Sequence, residues 1–482
     1  MRRFFVKNLL FVVTVNLLVK PAWVFVIDRT VQNRVGNHDY GVYQTLFNLS
    51  VIFQILLDFG LTNYNSRMIA REPDRLGEVF PSMLSIRILL ALVYCAVAGT
   101  AGVLMGYNRW EMGMLLAVLL FQALNSLVQF LRSNVAGLHR FKADGVLSIL
   151  DRALMIVVCG ALLLIPATGD HFKIEWFVYL QIFSYGMAAV IAFVVLQKIA
   201  KISLRFSLDV KALAQIMKES FPYASLIFLM SIYTRVDAIM MKRMLGAEGD
   251  LQNGIYAHSY RLLDVGNMFG LMFAAMLLPM FGRMLLQKTN IQPIVKLCVN
   301  LLLPFSGMCA IGAAFFGYPL VHALYHHATP YDGIIFSLLM ASFPAFCMMY
   351  VYSTLLTANG SIKLLIYIAL AGVLLNIALN YFLIPEYKAV GAALATVATQ
   401  TLLSVAYITF SGKTFKLPFN LKWVSAHASF LLMSAGIAYT IRMLPIEWYA
   451  QLLLFGAAGV LFMFLFRFVS VNAIKQLADR KG

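Results

Sequence analysis

Nine charged side chains stand inside, and not at the ends of, stretches of the chain that are otherwise apolar enough to span a bilayer. A charge in hydrocarbon costs about 3 kcal/mol on insertion scales, so such side chains usually pair with one another or line a water-filled cavity. Buried arginines and lysines can bind phosphate oxygens, and a desolvated carboxylate can take up a coupling ion. The nine, all within the first 264 residues, are Lys20, Asp58, Arg87, Asp151, Arg152, Arg235, Asp237, Arg261 and Asp264.

The elements that carry these charges must be membrane helices. The chain has 482 residues, of which 61% are hydrophobic and 12% charged. Apolar runs of about 20 residues, the length that crosses a bilayer, recur without an alternating strand pattern. We therefore expect an all-α polytopic membrane protein with about fourteen spans. They lie near 5–27, 41–62, 79–105, 111–135, 146–166, 174–197, 216–243, 254–285, 293–318, 331–357, 363–384, 388–411, 421–443 and 448–469.

The distribution of basic residues predicts the orientation. With the N-terminus in the cytoplasm, the inner segments hold 25 of the 38 Lys and Arg residues and the outer loops hold 8. This bias follows the positive-inside rule and places both termini in the cytoplasm. The net charge of +17 is therefore assigned to anionic lipid headgroups, and no nucleic-acid partner is expected.

A polar break at 197–218 divides the first six spans from the remaining eight. This break predicts four segments. They are an N-terminal six-helix lobe at 1–200, a cytoplasmic linker at 201–215, a C-terminal six-helix lobe at 216–412, and an additional helix pair with a cytoplasmic tail at 413–482.

A short repeat supports this division. Ile27-Asp28 precedes a polar loop and Gly41-Val42-Tyr43, whereas Val236-Asp237 precedes a polar loop and Gly254-Ile255-Tyr256. The alternative is chance recurrence in a chain with many glycines and tyrosines. Transporters are commonly built from such repeats.

These features resemble the multidrug/oligosaccharidyl-lipid/polysaccharide exporter superfamily, and within it the oligosaccharide (O-antigen-type) flippases. The resemblance rests on Gly36 to Tyr43, on Leu57 to Leu61 at the end of the second span, on Gly254-Ile255-Tyr256, and on Gly391-Ala392-Ala393. It implies two lobes around a central cavity that opens alternately to each side of the membrane. It also implies a polyprenyl-pyrophosphate-linked sugar as cargo, with basic residues facing the cavity.

The predicted orientation sorts the nine charges into two layers. An inner layer holds Asp58, Arg87, Asp151 and Arg152, and an outer layer holds Lys20, Arg235, Arg261, Asp237 and Asp264. One interpretation is a set of structural ion pairs. The other is a cationic cargo site with gates, because a pyrophosphate can replace the partner of a broken pair. On the second interpretation, the substrate-binding residues are Lys20, Arg87, Arg235 and Arg261. The gating or ion-coupling residues are Asp58, Asp237, Asp264, Asp151 and Arg152.

Other chemistry is weakly indicated. His322-x-x-x-His326-His327 has the spacing of a zinc pair but no nearby Cys or Glu, so no metal site is expected. A phosphate loop of the Walker type is absent from the sequence, which argues against ATP-driven transport. We expect no cofactor apart from H⁺ or Na⁺ coupling, and no catalytic residues.

The sequence therefore predicts a flippase, not an enzyme, in the bacterial cytoplasmic membrane. It would move a lipid-linked oligosaccharide from the inner to the outer leaflet for polysaccharide biosynthesis. Its partners would be that cargo, membrane lipids and other polysaccharide-assembly membrane proteins. Alternatives are a lipid II flippase, a multidrug cation antiporter and, from a different class, a membrane polymerase or glycosyltransferase.

Overall fold

The computed structural model describes residues 19–466 and 468, apart from internal gaps. The gaps are residues 20, 63–64, 66–67, 70–71, 73, 75, 139, 170, 201, 203–209 and 419. The described residues form helices, with no strand among them. Twelve of the described helices are long and apolar enough to cross a membrane. The protein is a polytopic all-α membrane protein.

Residues 1–254 form one compact unit. A π-helical turn, Trp23–Asp28, leads into the first helix, which ends in a 3₁₀ turn, Gln54–Leu57. The helices of this unit are α1 (Arg29–Phe53), α2 (Leu76–Leu104), α3 (Arg109–Gly137), α4 (Phe141–Leu164), the single turn α5 (Pro166–Gly169), α6 (Ile174–Ile199) and α7 (Val210–Leu245), together with the start of α8 (Ala247–Leu286). Gly36, with φ of 84°, interrupts α1 where the sequence predicts the loop between the first two spans.

Residues 255–482 form the second compact unit. It contains the rest of α8 and the helices α9 (Gln292–Leu324), α10 (Pro330–Ala341), α11 (Phe343–Ala358), α12 (Ile362–Phe415), α13 (Leu421–Arg442) and α14 (Trp448–Leu465). α10 and α11 together make one span. The lobe and linker boundaries at 200 and 216 stay a prediction, because most of the linker lies outside the described residues.

The twelve helices correspond to thirteen of the fourteen predicted spans. α12 is 54 residues long and covers the two predicted spans 363–384 and 388–411. It bends at Lys388, where φ is 53° and ψ is −128°, three residues after Pro385. The first predicted span, 5–27, lies mostly outside the described residues.

Aromatic and small apolar side chains fill the helix contacts of the first unit. Phe80 of α2 stacks on Phe130 of α3 with ring centroids 5.6 Å apart. Ala192 of α6 joins the same buried cluster. Large apolar side chains also cover the outside, and Leu92, for example, is 64% exposed. An exposed apolar surface of this kind is the one that lipid tails cover.

Candidate functional site

Asp58 and Arg87 form an ion pair where α1 ends. The guanidinium Nη2 of Arg87 contacts Asp58 Oδ1, and the Arg87 side chain is only 4% exposed. The first unit thus joins two of the four residues that the sequence places in the inner layer.

A tight turn holds the Asp58 carboxylate in place. Phe59 and Gly60 both have positive φ, 43° and 82°. Asp58 Oδ2 accepts a hydrogen bond from the Gly60 N–H at 3.1 Å, and Oδ1 accepts one from the Thr62 N–H at 3.0 Å. The positive φ of Gly60 favours glycine at this position. This is the structural reason for the Leu57-to-Leu61 motif.

The other face of Arg87 is also occupied. Its Nη1 donates to the Ser126 carbonyl oxygen at 3.0 Å and to Ser126 Oγ at 2.8 Å. Its guanidinium carbon lies 4.8 Å from the ring centroid of Phe130. Arg87 therefore ties the end of α1 to α2 and α3 in this conformation. Cargo binding by Arg87 stays a prediction, and it would require Arg87 to exchange these partners.

Asp151 and Arg152 form a second, separate pair on α4. Arg152 Nη1 lies 3.2 Å from Asp151 Oδ2, and the guanidinium lies 5.7 Å from the ring centroid of Trp23. The described contacts of this pair and those of Asp58–Arg87 share no residue. The inner layer thus consists of two networks. Gating or ion coupling by either network stays a prediction.

The predicted outer-layer residues fall on α7 and α8. Asp237 is buried in α7 with 2% exposure, and Arg235 is partly buried. Arg261 and Asp264 are partly buried on α8, and being three residues apart they share a helix face. Lys20 lies outside the described residues. The binding and coupling roles of all five stay predictions.

The first glycine of each copy of the repeated motif, Gly41 and Gly254, lies directly against the backbone of the other helix. A Cβ at Gly41 would lie 1.8 Å from the Asp250 carbonyl oxygen, and a Cβ at Gly254 would lie 1.9 Å from the Asn37 carbonyl oxygen. The Gln32 side chain spans the contact by donating to the Gly254 carbonyl oxygen at 2.8 Å. We call this contact the α1–α8 seam. Only glycine permits such close packing of α1 against the first turns of α8.

A lysine between two carboxylates fixes the same end of α8. Lys242 Nζ contacts Glu111 and lies 3.0 Å from Asp250 Oδ1. These three residues, with Tyr107, line a cavity of about 500 Å³. Burial raises the pKa of Tyr107 above its ordinary value, and the negative charges of Glu111 and Asp250 raise it further. The sequence alone does not reveal this network, because Glu111 and Lys242 are 131 residues apart.

Two further buried acids were missed. Asp28, 1% exposed, accepts a hydrogen bond from the Tyr40 hydroxyl at 2.8 Å. In the second unit, His258 Nε2 lies 3.3 Å from Asp332 Oδ1, and both side chains are almost fully buried. In the sequence, Tyr40 directly before the Gly41 motif is the feature that could have indicated a buried partner for Asp28. Among the described residues, no group of three His, Cys, Asp or Glu side chains could hold a metal ion.

Solved structures with this fold are membrane transporters. The lipid II flippase MurJ, in an inward closed conformation, matches with a TM-score of 0.74 at 14% identity, covering 95% of this chain and 98% of that chain. An inward-facing multidrug resistance transporter of the MATE family matches with a TM-score of 0.61 at 13% identity, covering 82% and 94%. At these identities the likeness concerns the fold. The fold is thus shared with this lipid II flippase and with this MATE transporter, the latter a member of the MOP superfamily.

Sequence comparison identifies the family. Residues 5–285 match the family model described as "Polysaccharide biosynthesis protein". The match covers more than half of the chain, which therefore belongs to this family, as the motifs predict. An uncharacterized membrane protein of Methanocaldococcus jannaschii is 23% identical over 380 residues, covering 76% of this chain and 88% of that protein.

Proposed function

We propose that this protein is a flippase for a polyprenyl-pyrophosphate-linked oligosaccharide. It moves the headgroup from the inner to the outer leaflet of the cytoplasmic membrane by alternating access, without covalent chemistry. Two findings together support the proposal. The chain belongs to a polysaccharide biosynthesis family, and 95% of it shares its fold with a flippase of another lipid-linked precursor.

Electrostatics favours this direction of movement. An anionic pyrophosphate that leaves an interior-negative cell gains roughly 2.3 kcal/mol per charge per 100 mV. Its passage still requires cations that replace lost hydration, and Arg87, Arg235 and Arg261 are the proposed ones. A carboxylate among Asp58, Asp237 and Asp264 would then take up a coupling proton or sodium ion.

The α1–α8 seam supports an alternating-access cycle. The start of α8 packs backbone to backbone on α1 and is fixed through Asp250 to Lys242. By the predicted orientation, this seam lies at the outer side of the membrane. Export of a headgroup would require it to open, and Lys242 would then release Asp250.

Transport in vesicles tests the proposal. The purified protein is reconstituted into liposomes that contain a fluorescent polyprenyl-pyrophosphate oligosaccharide, and a membrane-impermeant quencher reports arrival at the opposite leaflet. We expect protein-dependent translocation with an unchanged glycan. A longer glycan would show a polymerase or transferase, and translocation of lipid II alone would show a peptidoglycan flippase. Movement of organic cations alone would show an antiporter.

Arginine replacement tests the cargo site. Arg87, Arg235 and Arg261 are changed singly to Gln and to Lys, and Arg283→Gln, an exposed position at the end of α8, is the matched control. At equal expression, we expect export to fall at least tenfold in the Gln variants and to recover partly with Lys, because Lys keeps the charge but not the planar fork. Full export from all three Gln variants would remove support for a cationic cargo site.

A further inference from the structure

A basic cavity opens in the second unit where α9 and α13 begin. Its volume is about 380 Å³. It is lined by the first turns of α9, by one residue of α11, and by the start of α13 with the segment that precedes it. The polar and aromatic residues that matter here are Gln292, Lys296, Tyr352, Asn420, Lys422 and Trp423.

The cavity is positively charged. Among the described residues that line it, Lys296 and Lys422 are the charged ones and none is acidic. The N-terminal ends of two long helices, α9 at Gln292 and α13 at Leu421, also lie at the cavity. The helix dipole makes such ends favourable for an anion.

Two hydrogen bonds hold the start of α13 at the cavity. The Trp423 indole N–H donates to Asn300 Oδ1 at 2.7 Å. The Asn420 side chain caps α13 by accepting from the Trp423 backbone N–H at 3.2 Å. Tyr352, in the C-terminal half of α11, is buried. The Trp423–Asn300 hydrogen bond therefore connects α13 to α9 beside the two lysines.

The surroundings suit a lipid. Leu421 is 70% exposed and Val424 is 39% exposed, so apolar surface of α13 continues away from the lysines. The predicted orientation places the 285–293 and 411–421 loops on the cytoplasmic side, where anionic lipids attract basic residues. Tryptophan is typical of the membrane–water interface, at headgroup level.

We propose that this cavity binds the phosphate headgroup of an anionic phospholipid of the inner leaflet, whose acyl chains lie along α13. Basic pockets between membrane helices on the cytoplasmic side are known to bind such headgroups. Bound there, the lipid joins the start of α13 to α9. The site does not depend on the proposed flippase activity.

Quenching of Trp423 fluorescence by brominated lipid measures binding at the cavity. In a variant in which the other four tryptophans are Phe, Trp423 is the only fluorophore of its type. The protein is reconstituted in vesicles of phosphatidylcholine that contain increasing fractions of brominated phosphatidylglycerol or, separately, brominated phosphatidylcholine. We expect half-maximal quenching at a much lower fraction of the anionic lipid. Each lysine should contribute roughly fivefold to this preference.

Variants separate the site from general surface charge. Lys296→Gln with Lys422→Gln should remove the preference, whereas Lys363→Gln, an exposed lysine at the start of α12, should keep it. Lipid copurified with the unmodified protein and with the double variant, measured by mass spectrometry, gives a second readout that needs no tryptophan changes. Equal quenching by the two lipids, or equal copurified anionic lipid, would overturn the proposal.

The source of the phosphate is tested in the same vesicles. Added inorganic pyrophosphate should leave the quenching unchanged, since a lipid held by both headgroup and chains is not displaced by a free anion. Displacement of the brominated phosphatidylglycerol by an equimolar polyprenyl pyrophosphate would instead assign the cavity to the cargo, and would overturn the phospholipid proposal.

Discussion

At the scale of single residues, a charge within a membrane span can have very different surroundings. Arg87 has an acid, a hydroxyl, a carbonyl and an aromatic ring around its guanidinium. Arg152 has its neighbour Asp151 and the face of Trp23, and its side chain remains 31% exposed. The first arrangement fixes helix ends in this conformation, whereas the second leaves a cation accessible.

The Asp58–Arg87 pair should show strong energetic coupling. We expect a double-mutant cycle with Asp58→Asn and Arg87→Gln to give a coupling free energy of about 1–3 kcal/mol, because the Asp58 change leaves the buried Arg87 guanidinium without its carboxylate. The measurement is SDS-induced unfolding in mixed micelles.

Arg132 and Asp144 provide the control cycle. Their side chains are 26% and 19% exposed, with Nε and Oδ1 2.8 Å apart. Solvent screening should reduce their coupling to about 1 kcal/mol or less. A coupling for Asp58–Arg87 no larger than that of the control would contradict a structural role for the pair.

At the scale of elements, the repeat glycines are explained by packing. Each one allows a helix to lie against a carbonyl oxygen of another segment: Gly41 against Asp250, and Gly254 against Asn37. The sequence shows that the motif recurs, but not that its two copies meet in one seam.

Adding a methyl group at the seam should open it. We expect Gly41→Ala and Gly254→Ala each to lower the melting temperature and to make an Asn253→Cys thiol accessible to a maleimide, because Cβ would overlap backbone oxygen. Asn253 is buried and donates to Thr45 Oγ1 at 2.7 Å when the seam is closed. Gly99→Ala is the control, since its Cβ would meet nothing within 4 Å. Unchanged labelling in both seam variants would refute the closed packing.

The bend of α12 offers a second test at this scale. Lys388 has a backbone conformation that non-glycine residues rarely adopt, with φ of 53° and ψ of −128°. Lys388→Gly should therefore stabilise the protein by about 1 kcal/mol relative to Lys388→Ala. The comparison of Gly with Ala at one position removes the contribution of the lysine side chain. Equal melting temperatures for the two variants would show an unstrained bend.

The sequence predicts helices better than it predicts contacts between them. Hydrophobic length gives the spans, and Pro385 with the polar residues around it indicates the division of α12. A contact such as that of His258 with Asp332 joins positions 74 residues apart, and neither residue stands out by type or spacing. Lys242 stands at the end of a predicted span, and its position beside Glu111 depends on how α3 and α7 pack.

At the scale of the whole molecule, the distribution of basic residues predicts how the protein is oriented in the membrane. The seam is an outer gate, and the basic cavity an inner-leaflet site, only if the N-terminus is cytoplasmic. That orientation follows from the bias of 25 basic residues over 8. It can be measured without knowledge of the cargo.

Cysteine labelling in intact cells should give that orientation. In a variant without the five native cysteines, we expect a membrane-impermeant maleimide to label His327→Cys and Leu444→Cys, which are exposed in predicted outer loops. Gln287→Cys and Asn359→Cys, exposed in predicted inner loops, should react only after the cells are permeabilised. The reverse pattern would place the seam on the cytoplasmic side and the lysine cavity at the outer leaflet. This experiment therefore decides whether the orientation on which the outer-gate and inner-leaflet lipid proposals both depend is correct.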